Sequence, residues 1–344
     1  ISNLLFKIRG SLGYNSDLDL MDYLILKELK QKTSHNTNAV YLCRSMGKAF
    51  ENRWILLIII ALTWGSSFIL IKKSLLVFTP YQIGSFRVAI SGLILAYFGI
   101  PVLRKMNKKT LKWVFITGFF GNFLPMFLFP IAQTRVSSSM AGILDSLVPV
   151  FVLIFGFLFF GVRSRAVQIL GAIIGFIGAA MLMNLSNAST EDSNFLYALL
   201  VVLATACYAL AALIIKERLH HVRPMDLSAA VFSAWMAPSF LILFFSGFIN
   251  TSVNHPESLT ALGYLSILTI LGTAIAMILY YKLIQSTSPV FASSVTYLLP
   301  IVAVVWGLID GEEFSIWYVV GGLLILWGVY LIREKKRGEI PVVP

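Results

Sequence analysis

Residues 111–149 read LKWVFITGFFGNFLPMFLFPIAQTRVSSSMAGILDSLVP, and residues 262–300 read LGYLSILTILGTAIAMILYYKLIQSTSPVFASSVTYLLP. Laid over one another without a gap, the two stretches share nine identities, among them Gly121/Gly272, Met126/Met277, Ala141/Ala292 and Pro149/Pro300. An apolar bias alone produces leucine pairings, so the glycine and proline matches carry the weight. A slip of one residue continues the series through Gly161/Gly311, Gly171/Gly321 and Gly178/Gly328, and a separate offset sets Lys73 on Lys216. The chain therefore reads as a repeat, with halves near 54–185 and 195–333.

Outside the repeat the same character persists. Of 344 residues, 58% are hydrophobic and 12% charged. That is too little polar surface to coat a soluble globule, and it excludes a disordered chain. Ten stretches lack Asp, Glu, Lys and Arg: 54–71, 88–103, 113–134, 146–162, 166–190, 193–215, 227–254, 258–281, 283–309 and 314–332. Each is near the ~20 residues a helix needs to cross hydrocarbon. Helices are the spanning structure that satisfies its own backbone, and a barrel would show short alternating segments instead. The expected fold is an all-α integral membrane protein of ten transmembrane helices.

Five helices per half is an odd number, so the second half must enter the bilayer upside down. Loop charges agree. Five basic residues follow span two, whereas His255 and Glu257 follow span seven; Arg163 and Arg165 follow span four, whereas Asp310, Glu312 and Glu313 follow span nine. Placing the N-terminus in the cytoplasm puts 23 of the 27 basic residues on the inner side. By the positive-inside rule both termini are then cytoplasmic. The +11 charge is thus a topology signal facing anionic lipid. Its scatter over six short segments argues against nucleic acid as a partner. Inverted five-helix repeats are the architecture in which secondary transporters enclose a midplane site and alternate its access.

Ionisable groups inside hydrocarbon are the first site candidates, because they are expensive there. Arg87 in span two and Asp145 in span four each lie seven positions from the start of a span running inward, about 10 Å deep. At equal depth they can meet. Either they form an ion pair that fixes helix packing, or Arg87 snorkels outward, or the pair contacts a zwitterionic substrate, or Asp145 takes up a coupling proton. Pro149 and Pro300, at matching places, are expected to kink their helices and free carbonyls toward a cavity. Gly171, Gly175 and Gly178 in span five, with Gly321, Gly322 and Gly328 in span ten, mark close helix packing, assigned to contacts within the chain; the chain is a monomer or a homodimer.

Residues 54–333 resemble the EamA-type permeases of the drug/metabolite transporter superfamily. The likeness rests on Ala61-Leu62-Thr63-Trp64-Gly65-Ser66-Ser67-Phe68, on Phe86-Arg87, on the run from Ala292 to Pro300, and on Leu308-Ile309-Asp310-Gly311-Glu312. It departs from the family at Val148 and at Gly161-Val162. The resemblance implies ten helices in two repeats and a gradient-driven carrier of small metabolites such as amino acids, here read as an exporter in a cell membrane, the bacterial inner membrane. It also places Trp64, Asn122, Tyr280 and Tyr297 on cavity-lining helices, where aromatic rings with a polar tip suit a small organic substrate.

No metalloprotease, nucleophile-elbow or phosphate-loop sequence occurs, so no enzyme activity, cofactor or metal is expected. His220-His221 reads as part of a basic inner loop. Two other classes compete with a carrier: a membrane scaffold or receptor without a transport cycle, and a membrane-embedded enzyme. Residues 1–53 read as a cytoplasmic extension without a signal peptide. Within it Asp17–Lys30 fits a short amphipathic helix on the membrane surface, and residues 1–45, preceding Met46, are expected to be dispensable or a gene-start artefact. Residues 334–344 form a cytoplasmic tail.

The inversion makes a direct prediction. With Cys43 and Cys207 replaced by serine, thiols introduced by Lys109→Cys and by His255→Cys should react with an impermeant maleimide from opposite sides of the membrane. Labelling from one side would remove the inversion.

Overall fold

The computed structural model describes residues 52–136, 138–161, 165–185, 195–309 and 316–332. Contacts divide the chain into residues 1–56 and a unit of 57–344; of the first, only 52–56 are described. The expectations for Met46, Asp17–Lys30, Arg163, the Asp310–Glu313 loop and the C-terminal tail fall outside the described residues.

Among the described residues every element is a helix. In order, α1 is Arg53–Ser74, α2 Pro80–Lys105 and α3 Lys108–Ala132. Then come α4 Ser138–Asp145, α5 Val148–Phe160 and α6 Ala166–Leu185. The second half holds α7 Phe195–Arg218, α8 Pro224–Phe245, α9 Phe248–Asn254 and α10 Ser258–Ser286. It closes with α11 Pro289–Ser293, α12 Val295–Ile309 and α13 Ile316–Ile332. Six of these, α1, α2, α3, α7, α8 and α10, are long and apolar enough to cross a membrane. The other four expected spans meet shorter apolar helices. Span four is interrupted at Ser146–Leu147, and α11 meets α12 at Ser294.

Local chemistry fixes the ends. Thr79 and Gln82 form a reciprocal capping box at the start of α2, and Pro80 occupies a first-turn position that needs no N–H donor. Asn107 caps α3, and Gly161, with φ of 63°, terminates α5 in a left-handed conformation. Pro224 starts α8 as Pro80 starts α2. The helix-starting prolines are 144 residues apart, which pairs Lys216 with Lys72 and corrects the pairing with Lys73 expected from sequence. At this offset Trp64 corresponds to Tyr208. The offset of 151 holds for α3 and α10, where it is marked by a feature invisible in composition: each contains a π-helical turn, at Phe119–Phe123 and at Ile270–Ile275.

The repeats do not stand side by side. Gln82 donates from Nε2 to the Ser246 carbonyl at 2.9 Å, Gly92 faces Met236, and Gly99 lies against Ala229 and Ser233. The equivalent helices α2 and α8 therefore run antiparallel. A second equivalent pair does the same: Gly171 meets Gly328, and Gly178 meets Gly321. These are the repeat partners exchanged, as a two-fold relation demands. A methyl on Gly178 would sit 2.8 Å from the Gly321 carbonyl oxygen, whereas one on Gly322 would meet nothing within 4 Å.

Gly178→Leu should therefore lower the thermal unfolding midpoint, by the ~1–3 kcal/mol typical of overpacking, while Gly322→Leu leaves it within error. Equal shifts would dismiss the glycine seam.

Candidate functional site

Where the helices are interrupted they enclose a cavity of about 60 Å³. Its wall draws on both halves in matched positions. Trp64 and Tyr208 are repeat partners, as are Met126 and Met277, Phe129 and Tyr280, Asp145 and Thr296, and Val148 and Leu299, and all ten line the cavity. The ring contacts repeat too. Trp64 packs on Tyr280 with centroids 4.8 Å apart, and their counterparts Tyr208 and Phe129 stack at 5.9 Å. The Trp64 indole donates from Nε1 to the Gly272 carbonyl at 3.0 Å, answering a backbone group inside the π-helical turn of α10.

Two wall residues carry charge where their repeat partners are neutral. Arg87 corresponds to Val231 and Asp145 to Thr296. Arg87 is 6% exposed and Asp145 5%. Arg87 donates from Nε to Thr273 Oγ1 at 3.0 Å. The Oδ1 of Asp145 is buried with no hydrogen-bond partner among the described residues. No ion pair joins the two there, although both line one cavity. The packing ion pair is thus absent, leaving a guanidinium and a carboxyl that face shared space without an ion-pair partner among the described residues. Such groups are retained in hydrocarbon at a cost of several kcal/mol.

Of the six residues expected to contact substrate, Asp145, Arg87, Trp64 and Tyr280 line the cavity. Asn122 and Tyr297 are not in its wall. Asn122, in the π-helical turn of α3, donates from Nδ2 to Tyr281 Oη at 2.7 Å. Tyr297 donates to the Ala172 carbonyl at 2.8 Å and lays its ring on Gly175, so it joins α12 to α6. Pro149 lies in the first turn of α5, restarting a helix after the break at Ser146–Leu147 and not kinking a continuous one. Pro300 is inside α12; its missing N–H releases the Thr296 carbonyl, which Ser146 Oγ approaches at 3.5 Å. Sequence reading missed Tyr208, although the 144-residue offset identifies it as the partner of Trp64. It also missed Thr273, the partner of Asn122.

Comparison with known proteins places this geometry in context. The profile of the EamA-like transporter family matches residues 52–184 and again residues 195–333. An uncharacterized transporter of Archaeoglobus fulgidus is 26% identical over 286 residues, covering 83% of this chain and 99% of its own. The uncharacterized inner membrane transporter YedA of Escherichia coli K12 is 26% identical over 288 residues, 79% of this chain and 88% of its own. YvbV, an uncharacterized transporter of Bacillus subtilis, is 24% identical over 300 residues, 83% and 92% of the two chains. A solved crystal structure with 19% identity superimposes with a TM-score of 0.62 over 80% of this chain and 94% of that one, which shows a shared fold.

The Asn122–Tyr281 bond is open to a double-mutant test. Asn122→Ala leaves a buried phenol unpartnered and should cost ~1–3 kcal/mol in unfolding free energy. Adding Tyr281→Phe should recover part of that loss. Additive losses would mean that the bond does not hold the turn.

Proposed function

The chain belongs to the EamA-like transporter family, and on that footing we propose that this multi-pass membrane transporter is a secondary carrier exporting a small organic metabolite such as an amino acid. Ten crossings, both termini in the cytoplasm, and alternating access between two inverted repeats complete the reading. One observation carries it: a cavity with five repeat-related pairs in its wall and two buried charged residues, Arg87 and Asp145, that form no ion pair with each other. A zwitterion supplies what each lacks, a carboxylate for the guanidinium and an ammonium for the carboxyl. Between the poles, Trp64 and Tyr280 offer apolar rings that hold without gripping.

Asp145 also suits proton exchange. Its Oδ1 has no competing donor, so uptake of solute or of a proton exchanges one occupant for another at the same atom. An imposed gradient then drives the cycle without nucleotide hydrolysis. The +11 net charge, lying mostly on the cytoplasmic side, orients the carrier by attraction to the anionic leaflet.

Purified protein in lipid vesicles should exchange a labelled amino acid and accumulate it when a proton gradient is imposed. Asp145→Asn should abolish the response to the gradient, and Arg87→Gln should weaken solute exchange at least tenfold, the scale of one charge-assisted bond. Transport unaltered at every pH in Asp145→Asn would remove that carboxyl from the mechanism.

A further inference from the structure

Two ends of the molecule that the repeat makes equivalent are built alike and found in opposite conditions. Near the C-terminus of α7, Lys216 donates from Nζ to the Gln285 carbonyl at 3.0 Å and to the Thr287 carbonyl. These oxygens close α10, where a cation complements the helix terminus. Gln285 answers by donating from Nε2 to the carbonyls of Val222 at 2.9 Å and Leu219 at 3.4 Å, in the turn before Pro224. The ends of α7 and α10 are thereby clamped together.

The offsets of 144 and 151 carry Lys216, Leu219, Val222 and Gln285 onto Lys72, Leu75, Phe78 and Thr134. All four line an open groove of about 440 Å³ between the end of α1 and the end of α3. Lys72 is exposed, with no hydrogen bond or ion pair among the described residues. Beside Thr134, the Nε2 of Gln133 is buried without an acceptor. Clamp and groove lie far apart. Pro80 begins α2 and Pro224 begins its antiparallel partner α8, and the 26 residues of α2 span ~39 Å. Ile71, the neighbour of Lys72, is part of the central cavity wall.

We propose that clamp and groove are the two gates of one carrier, with Lys216 and Lys72 as alternating latches. In this conformation Lys216 holds the Pro224 end shut and the Pro80 end stands open. In the other conformation the groove collapses, Lys72 takes the carbonyls of Thr134 and Val136, and Gln133 reaches those of Leu75 and Phe78 in the manner of Gln285. Exchanging one latch for a chemically similar one keeps the two states close in free energy, which ready cycling needs. The inference rests on the alternating-access reading above and adds its gating residues.

The test uses the full chain in lipid vesicles with Cys43→Ser and Cys207→Ser, and a thiol reporter placed in the groove by Leu76→Cys. Adding Lys216→Met should slow maleimide labelling of that thiol roughly tenfold, the scale of one charge-assisted hydrogen bond, and adding Lys72→Met as well should restore the rate. Unchanged or faster labelling with Lys216→Met, or no restoration, overturns the proposal. A second measurement leaves the Lys216 clamp intact: Lys72→Cys with Thr134→Cys should form a disulfide on oxidation, and failure to cross-link also overturns it. Labelling that shifts as expected in vesicles that move no solute would keep the gates and sink the carrier. Solute exchange with labelling indifferent to Lys216→Met would do the reverse.

Discussion

Hydrocarbon supplies no partner for a backbone N–H or C=O, so every interruption of a helix inside a membrane bundle must be answered by another part of the chain. That constraint explains where this molecule places its polar side chains. The π-helical turns of α3 and α10 interrupt two long helices at equivalent positions. Asn122 and Thr273 sit in those turns and bond Tyr281 and Arg87. The indole of Trp64 takes the Gly272 carbonyl. Ser146, in the break between α4 and α5, approaches the carbonyl that Pro300 releases. The interruptions concentrate around one cavity, and the groups that answer them hold its wall.

The wall separates scaffold from chemistry. Five repeat pairs give it shape, including the two matched aromatic contacts, while charge is confined to Arg87 and Asp145, whose partners are Val231 and Thr296. A symmetric cavity with a duplicated carboxyl or guanidinium would bring like charges together in a medium that screens them poorly. Restricting each charge to one half avoids that repulsion and makes the cavity wall asymmetric.

Much of this was legible in the sequence, and the limits have physical causes. Charge-free runs mark apolar segments because lipid tolerates little else, and Gly121/Gly272 and Pro149/Pro300 mark the repeat because glycine and proline answer to backbone geometry. The adjacent Lys72 and Lys73 defeated the alignment of α1 with α7. A slip of one residue turns a helix by about 100°, which moved the partner of Trp64 from Tyr208 to Cys207 and hid half of the aromatic wall. Tyr297 and Asn122 show a different limit. Residue type says that a buried polar tip needs a partner, but not whether a carbonyl such as that of Ala172, a phenol such as that of Tyr281, or a solute provides it. The π-helical turns have no compositional signature, and only coordinates reveal them.

The interlacing of the repeats bears on what can move. The most extensive helix pairings, α2 with α8 and α6 with α13, join equivalent helices across the repeat boundary. The aromatic contacts cross it as well: Trp64 of α1 meets Tyr280 of α10, and Tyr208 of α7 meets Phe129 of α3. Residues 57–344 accordingly form one compact unit, and neither half of the sequence can swing as a rigid body without tearing the glycine seams apart. A cavity of about 60 Å³ holds little more than a few waters, so the carrier proposed above needs its wall to part. The gating proposed above leaves the seams intact and displaces α1 with α3 at one end, α7 with α10 at the other. Of these, α3 and α10 contain the π-helical turns, in which the backbone already departs from the regular α-helical hydrogen-bond pattern. In the gating proposed above, the repeat supplies two copies of a hinge, one at each end.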